Sequence, residues 1–114
     1  MPEYMLLIYV PPDGAPPEAQ ELQPWFDFTA ALKEAGAHRA DNPLELTASA
    51  TTVRVREGET QVSDGPFAET KEVLGGYYLI DVPDRDEAHK WAERIPSAPY
   101  GSVEVRPIME LPDS

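Results

Sequence analysis

Residues 4–10 are apolar at every position: Tyr4, Met5, Leu6, Leu7, Ile8, Tyr9 and Val10. Successive side chains of a strand point to opposite faces, so a strand of this composition must be covered on both. The run is too short for a transmembrane helix or a signal-peptide core, and no basic segment precedes it. The chain is therefore expected to be cytoplasmic.

The rest of the chain alternates helices and strands. Residues 11–17 read as a loop with a turn at Pro12-Asp13-Gly14. A helix is expected over residues 18–35, where Leu22, Trp25, Phe28 or Thr29, and Leu32 form one stripe and Gly36 follows as a stop. Pro24 either kinks this helix or lies in its first regular turn. Residues 37–49 hold a short strand and a loop around Asn42-Pro43. Residues 51–56 alternate as a strand, Glu57-Gly58-Glu59 turns the chain, and residues 60–63 return as a hairpin partner. A loop with room for a helical turn spans residues 64–71. Residues 74–82 are a strand entered through Gly75-Gly76. Asp84 and Glu87 have capping-box spacing ahead of a helix that carries Ala88, Trp91, Ala92 and Ile95 on one face and stops at Pro96. Residues 102–109 are the last strand.

At 114 residues the chain is expected to form one domain over residues 1–114. The expected class is α+β: a ferredoxin-like sheet with an inserted β-hairpin and both helices on one face. The second face then needs a cover, because the first strand is apolar on both sides. Either the same face of another copy supplies it, giving a homodimer with a dimeric α/β barrel, or the hairpin folds over that face within one chain.

A formal net charge of −12 argues against nucleic-acid partners and against an anionic membrane surface, both of which need a basic face. With no cysteine, disulfides, thiolate nucleophiles and cysteine-bound metals are excluded. Neither histidine has a carboxylate at ligand spacing, so no metal is expected, and no cofactor motif is present.

The side chains that could carry chemistry are few. His38 follows the first helix and could serve as a general base in a cleft, or satisfy local backbone groups. His89 lies beside the apolar stripe of its helix and reads as a surface residue. Arg54 and Arg56 share a strand face, as a clamp for a carboxylate or phosphate or as cross-strand partners of acids such as Glu59. Tyr77 and Tyr78 point to opposite faces, one to a pocket and one to the helix layer. Asp64-Gly65-Pro66-Phe67 is rigid turn chemistry that presents an aromatic ring, with Lys71 close behind. Asp64 is either the acid or base of a cleft wall or a turn residue capping backbone amides.

Residues 4–9, Ala50 to Arg54, Asp64 to Glu72, Leu74-Gly75-Gly76-Tyr77-Tyr78 and Gly101 to Pro107 closely resemble the DGPF-domain proteins of the YCII-related family. The resemblance covers most of the chain. It implies a ferredoxin-like fold that forms dimeric α/β barrels, similar in architecture to muconolactone isomerases, and it implies no particular reaction. DGPF proteins are often encoded beside extracytoplasmic-function sigma factors. Some YCII-related proteins are proposed to use a His–Asp pair whose histidine lies on the first helix. Asp64 looks like the matching acid here. No histidine lies between Glu18 and Gly36, where Trp25 and Asp27 stand instead, so His38 substitutes only if the fold brings it to Asp64.

Two functions follow as expectations. One is a small-molecule-binding protein or enzyme with a cleft at the dimeric barrel, formed by Trp25, Arg54, Phe67, Lys71, Tyr77 and Tyr78 around Asp64 and His38. The other is a non-catalytic accessory protein linked to a sigma-factor partner.

Overall fold

Strand β1 (Glu3–Val10) lies inside a four-stranded antiparallel sheet, as its two apolar faces require. The computed structural model describes residues 2–12, 19–66 and 70–112. Strand β5 (Val73–Asp81) pairs with one edge of β1 and β6 (Ser102–Pro107) with the other; β2 (His38–Pro43) completes the order β2-β5-β1-β6. Helix α1 (Gln23–Glu34) connects β1 to β2, and α2 (Arg85–Glu93) connects β5 to β6. The class is α+β.

Both helices cover the same face. Tyr4, Leu6, Ile8, Tyr78 and Ile80 form a buried core with Phe28 and Leu32 of α1 and Ala88 and Ala92 of α2. Phe28 sits between two rings, edge-on to Tyr78 at 5.1 Å and to Trp91 at 6.0 Å between centroids.

Pro24 lies in the first turn of α1 rather than at a kink. It has no N–H, and the first turn needs none there. The stretch expected as one helix over residues 18–35 is thus two pieces, a 3-10 turn (Ala19–Leu22) and then α1. The end of α1 is closed by Gly36 N–H to Lys33 O and Ala37 N–H to Leu32 O, both at 3.0 Å, the paired bonds of a Schellman stop. At α2, Asp84 accepts from the Glu87 N–H at 2.9 Å as a cap should. The Glu87 carboxylate turns to Lys90 Nζ, at 3.2 Å, instead of reaching back.

The inserted hairpin is a separate two-stranded sheet of β3 (Thr51–Arg56) and β4 (Glu59–Asp64). Its turn is two residues, Glu57 and Gly58, with φ of 52° and 79°. Two left-handed residues make the tight turn whose twist matches paired strands, and glycine carries the second at no steric cost. Glu59 therefore belongs to β4, and Asp64 is the last residue of that strand, opposite Thr51, rather than the start of a loop.

The hairpin does not fold over the open face of the main sheet. Val53, Val55 and Val62, which share its apolar side, are 60, 59 and 66% exposed. The open face carries Met5, Leu7, Tyr9, Tyr77 and Leu79, all half-buried. The radius of gyration is 16.2 Å, against about 13 Å for a compact domain of this length. The two sheets of one chain do not close into a barrel.

Candidate functional site

Strand β2 holds an irregularity that shapes the site. His38 lies opposite Ile80 and Ala40 opposite Leu79, so Arg39 is an extra residue in the ladder. In a regular strand, positions three apart face opposite ways. The bulge at Arg39 restores the count and brings His38 and Asp41 to the helix-covered face together. Their side chains meet with His38 Nε2 2.6 Å from Asp41 Oδ2. The Arg39 guanidinium is tied down by the Gly36 and His38 carbonyls and by Asp81.

Next to this pair, the Tyr78 hydroxyl and Thr29 Oγ1 are 2.7 Å apart. Burial pushes the Tyr78 phenol above its ordinary value; the Thr29 hydrogen bond works against that, and the nearby Asp41 charge adds to it. Tyr78 thus stays a neutral O–H group throughout the physiological range. On the other face of the same strand, Asn42 Nδ2 donates to the Tyr77 hydroxyl at 2.8 Å.

These groups border a cleft of about 580 Å³ between the start of α1 and the segment after β2. Trp25, Leu22, Leu44, Leu46 and Leu74 supply apolar walls, and Asp41, Thr29, Tyr78 and Ser97 supply polar atoms. Ser97 is held by the turn after α2, where its carbonyl accepts from the Tyr100 and Gly101 N–H groups at 3.1 and 2.8 Å. That turn packs so closely on β1 that a Cβ on Gly101 would collide with the Tyr9 carbonyl. Ser97 is 1% exposed and its Oγ has no hydrogen-bond partner among the described residues. A second cavity of about 820 Å³ adjoins the first along Leu44–Thr47 and Val73–Leu74, and reaches Tyr9, Pro66 and Thr70.

Of the side chains expected to form a site, Trp25, Tyr77 and Tyr78 line the first cleft together. His38 stands behind Asp41. Asp64 is exposed at the base of the hairpin, on a different sheet, and the hydrogen-bond partner of His38 is Asp41. The Asp64-Gly65 corner is pinned by its backbone: Gly65 N–H donates to Ala50 O at 2.7 Å and Thr52 Oγ1 to Gly65 O at 2.9 Å. Arg54, on β3, and Lys71, exposed, line neither cavity. Arg56 donates to the Val55 carbonyl. Phe67 lies outside the described residues, as does most of the helical turn expected near it.

Sequence reasoning missed Asp41, Thr29 as a tyrosine partner, and Ser97. Asp41 gave the signal of an acid near a histidine, but strand alternation assigns it to the wrong face. Ser97 gave none. Among the described residues no group of three or more His, Asp or Glu side chains converges as a metal site. No described helix is long and apolar enough to cross a membrane.

A model of the YCII-related domain matches residues 2–112. The chain belongs to the YCII-related family. One relative, an uncharacterized protein of Rhizobium meliloti (strain 1021), is 53% identical over 67 residues. That match covers 57% of this chain and 54% of the relative, so this chain is matched to about half of the relative's length.

Proposed function

We propose that this YCII-related protein binds a small molecule in the Trp25–Asp41–Tyr78 cleft, and that it works as a homodimer of ferredoxin-like subunits. One observation carries the binding reading: aromatic walls and a set of polar side chains converge on a single concavity whose size lies in the range usual for ligand sites. The hydrogen-bonded His38–Asp41 pair gives that site the means to move a proton, so an acid–base reaction is within its chemistry. The dimer reading rests on the apolar open face of the sheet. A second copy packed across it about a two-fold axis would cover Met5, Leu7, Tyr9 and Leu79, the arrangement of a dimeric α/β barrel.

The test is a thermal-stability screen of the intact protein against a metabolite library, because a ligand that binds only the folded state raises the melting temperature. At least one compound is expected to stabilise the protein, and the shift is expected to shrink in Trp25→Ala. A library without a single stabilising compound would remove this reading.

The exposed valines of the hairpin favour a second reading, an accessory protein that docks on another protein such as a sigma factor. Co-purification with a co-expressed sigma factor, lost on Val53→Asp, would support it; no association would end it.

A further inference from the structure

We infer that the cleft selects a ligand with an apolar body and a protonated amine, and rejects carboxylates and phosphates; this rests on the binding reading above and specifies its ligand. The charged side chains lining the cleft are Glu21, Asp41 and Glu45, and those of the adjoining cavity are Glu45 and Glu72. No lysine, arginine or histidine lines either one among the described residues. The whole chain carries a net charge of −12. A concave site walled by low-dielectric material focuses a field of that sign, attracting cations and repelling anions.

The polar atoms point the same way. An ammonium has three donors and no acceptor, so it matches a site rich in acceptors. Asp41 is acceptor-only when ionised, and His38 engages just one of its two oxygens. Ser97 borders the cleft, and its Oγ is buried with no hydrogen-bond partner among the described residues. A buried hydroxyl without a hydrogen bond carries a free-energy cost that a ligand removes by supplying one. Thr29 and Tyr78 already bond to each other and leave spare hydroxyl acceptor capacity. Trp25 and the surrounding leucines suit an apolar body, and an indole ring attracts a cation to its face.

Three probes of one shape test this: 2-phenylethylamine, 2-phenylethanol and phenylacetate, which carry positive, zero and negative charge. Titration calorimetry is run on the intact chain at about pH 8, where a free aliphatic amine is protonated and a free carboxylic acid is ionised. The amine is expected to bind about tenfold or more tightly than phenylacetate, and more tightly than the alcohol, as a hydrogen bond to a charged group predicts. Asp41→Asn keeps an oxygen for His38 and is expected to bring the amine down to the level of the alcohol. Ser97→Ala removes a hydroxyl that bonds to no described residue, so the fold stays intact while amine and alcohol both weaken. Phenylacetate binding as tightly as the amine, or an amine preference unchanged in Asp41→Asn, would overturn the inference. If the metabolite screen instead yields an anion, the charge assignment fails and the binding reading stands. If neither the probes nor the library bind, both fail.

Discussion

His38 and Asp41 are three residues apart in β2 and yet meet side by side, Nε2 to Oδ2 at 2.6 Å. The extra residue at Arg39 makes this possible, and the same bulge turns Asp41 toward Tyr78 and the cleft. A local defect in strand pairing thus creates the polar corner of the site.

The buried phenol next to this corner makes stability depend on alkaline pH. The Tyr78 pKa is raised in the folded state, by burial first. Its contribution is fully present below the unfolded tyrosine value of about 10 and is lost as pH rises through the higher folded value. The unfolding midpoint in urea is expected to fall above about pH 10 in the native protein and to fall less in Tyr78→Phe. Thr29→Val removes the hydrogen bond that opposes the shift, so the Tyr78 phenol, followed by ultraviolet difference absorbance, is expected to titrate at still higher pH.

Ser97→Ala should separate stability from binding. The hydroxyl is buried without a partner, so its removal is expected to leave stability unchanged or to raise it by up to about 1 kcal/mol. Urea unfolding measures this directly. A loss of stability would mean that the hydroxyl has a structural partner.

Leu32 and Phe26 occupy the same helix but different worlds. Leu32 is fully buried in the core, whereas Phe26 is 60% exposed. Leu32→Ala is expected to cost about 2–5 kcal/mol, through lost burial and the cavity left behind. Phe26→Ala is expected to change stability by about 0.5 kcal/mol or less. Denaturation of the two variants checks the orientation of α1.

The open sheet face makes the oligomeric state testable. Light scattering is expected to give twice the chain mass for the native protein and a single chain mass for Leu7→Arg, which buries a charge at the centre of the proposed interface. Circular dichroism should be unchanged, because Leu7 lies on the face away from the helices. A monomeric native protein would exclude the dimer.

Much of this structure is written in residue order. The all-apolar run at residues 4–10 demanded an inner strand, the spacing of Leu22, Trp25, Phe28 or Thr29, and Leu32 located the apolar stripe of α1, of which Phe28 and Leu32 are buried, and Asp84 marked the start of α2. Each of these is a property of neighbours along the chain, set by backbone periodicity and by local hydrogen bonds. The Asp64-Gly65-Pro66-Phe67 motif likewise pointed to the YCII-related family without any coordinates. The candidate site is different. Asp41 belongs to it only because one unpaired residue shifts the register of β2 against β5, and Ser97 only because the turn after α2 is pressed against β1. Register and close approach are decided by how distant segments pack, since alternation along one strand carries no record of where its partner inserts or omits a residue. Periodicity and local motifs along the chain thus set most of the elements, their order and the family, whereas the packing of distant segments pairs His38 with Asp41 and not with Asp64.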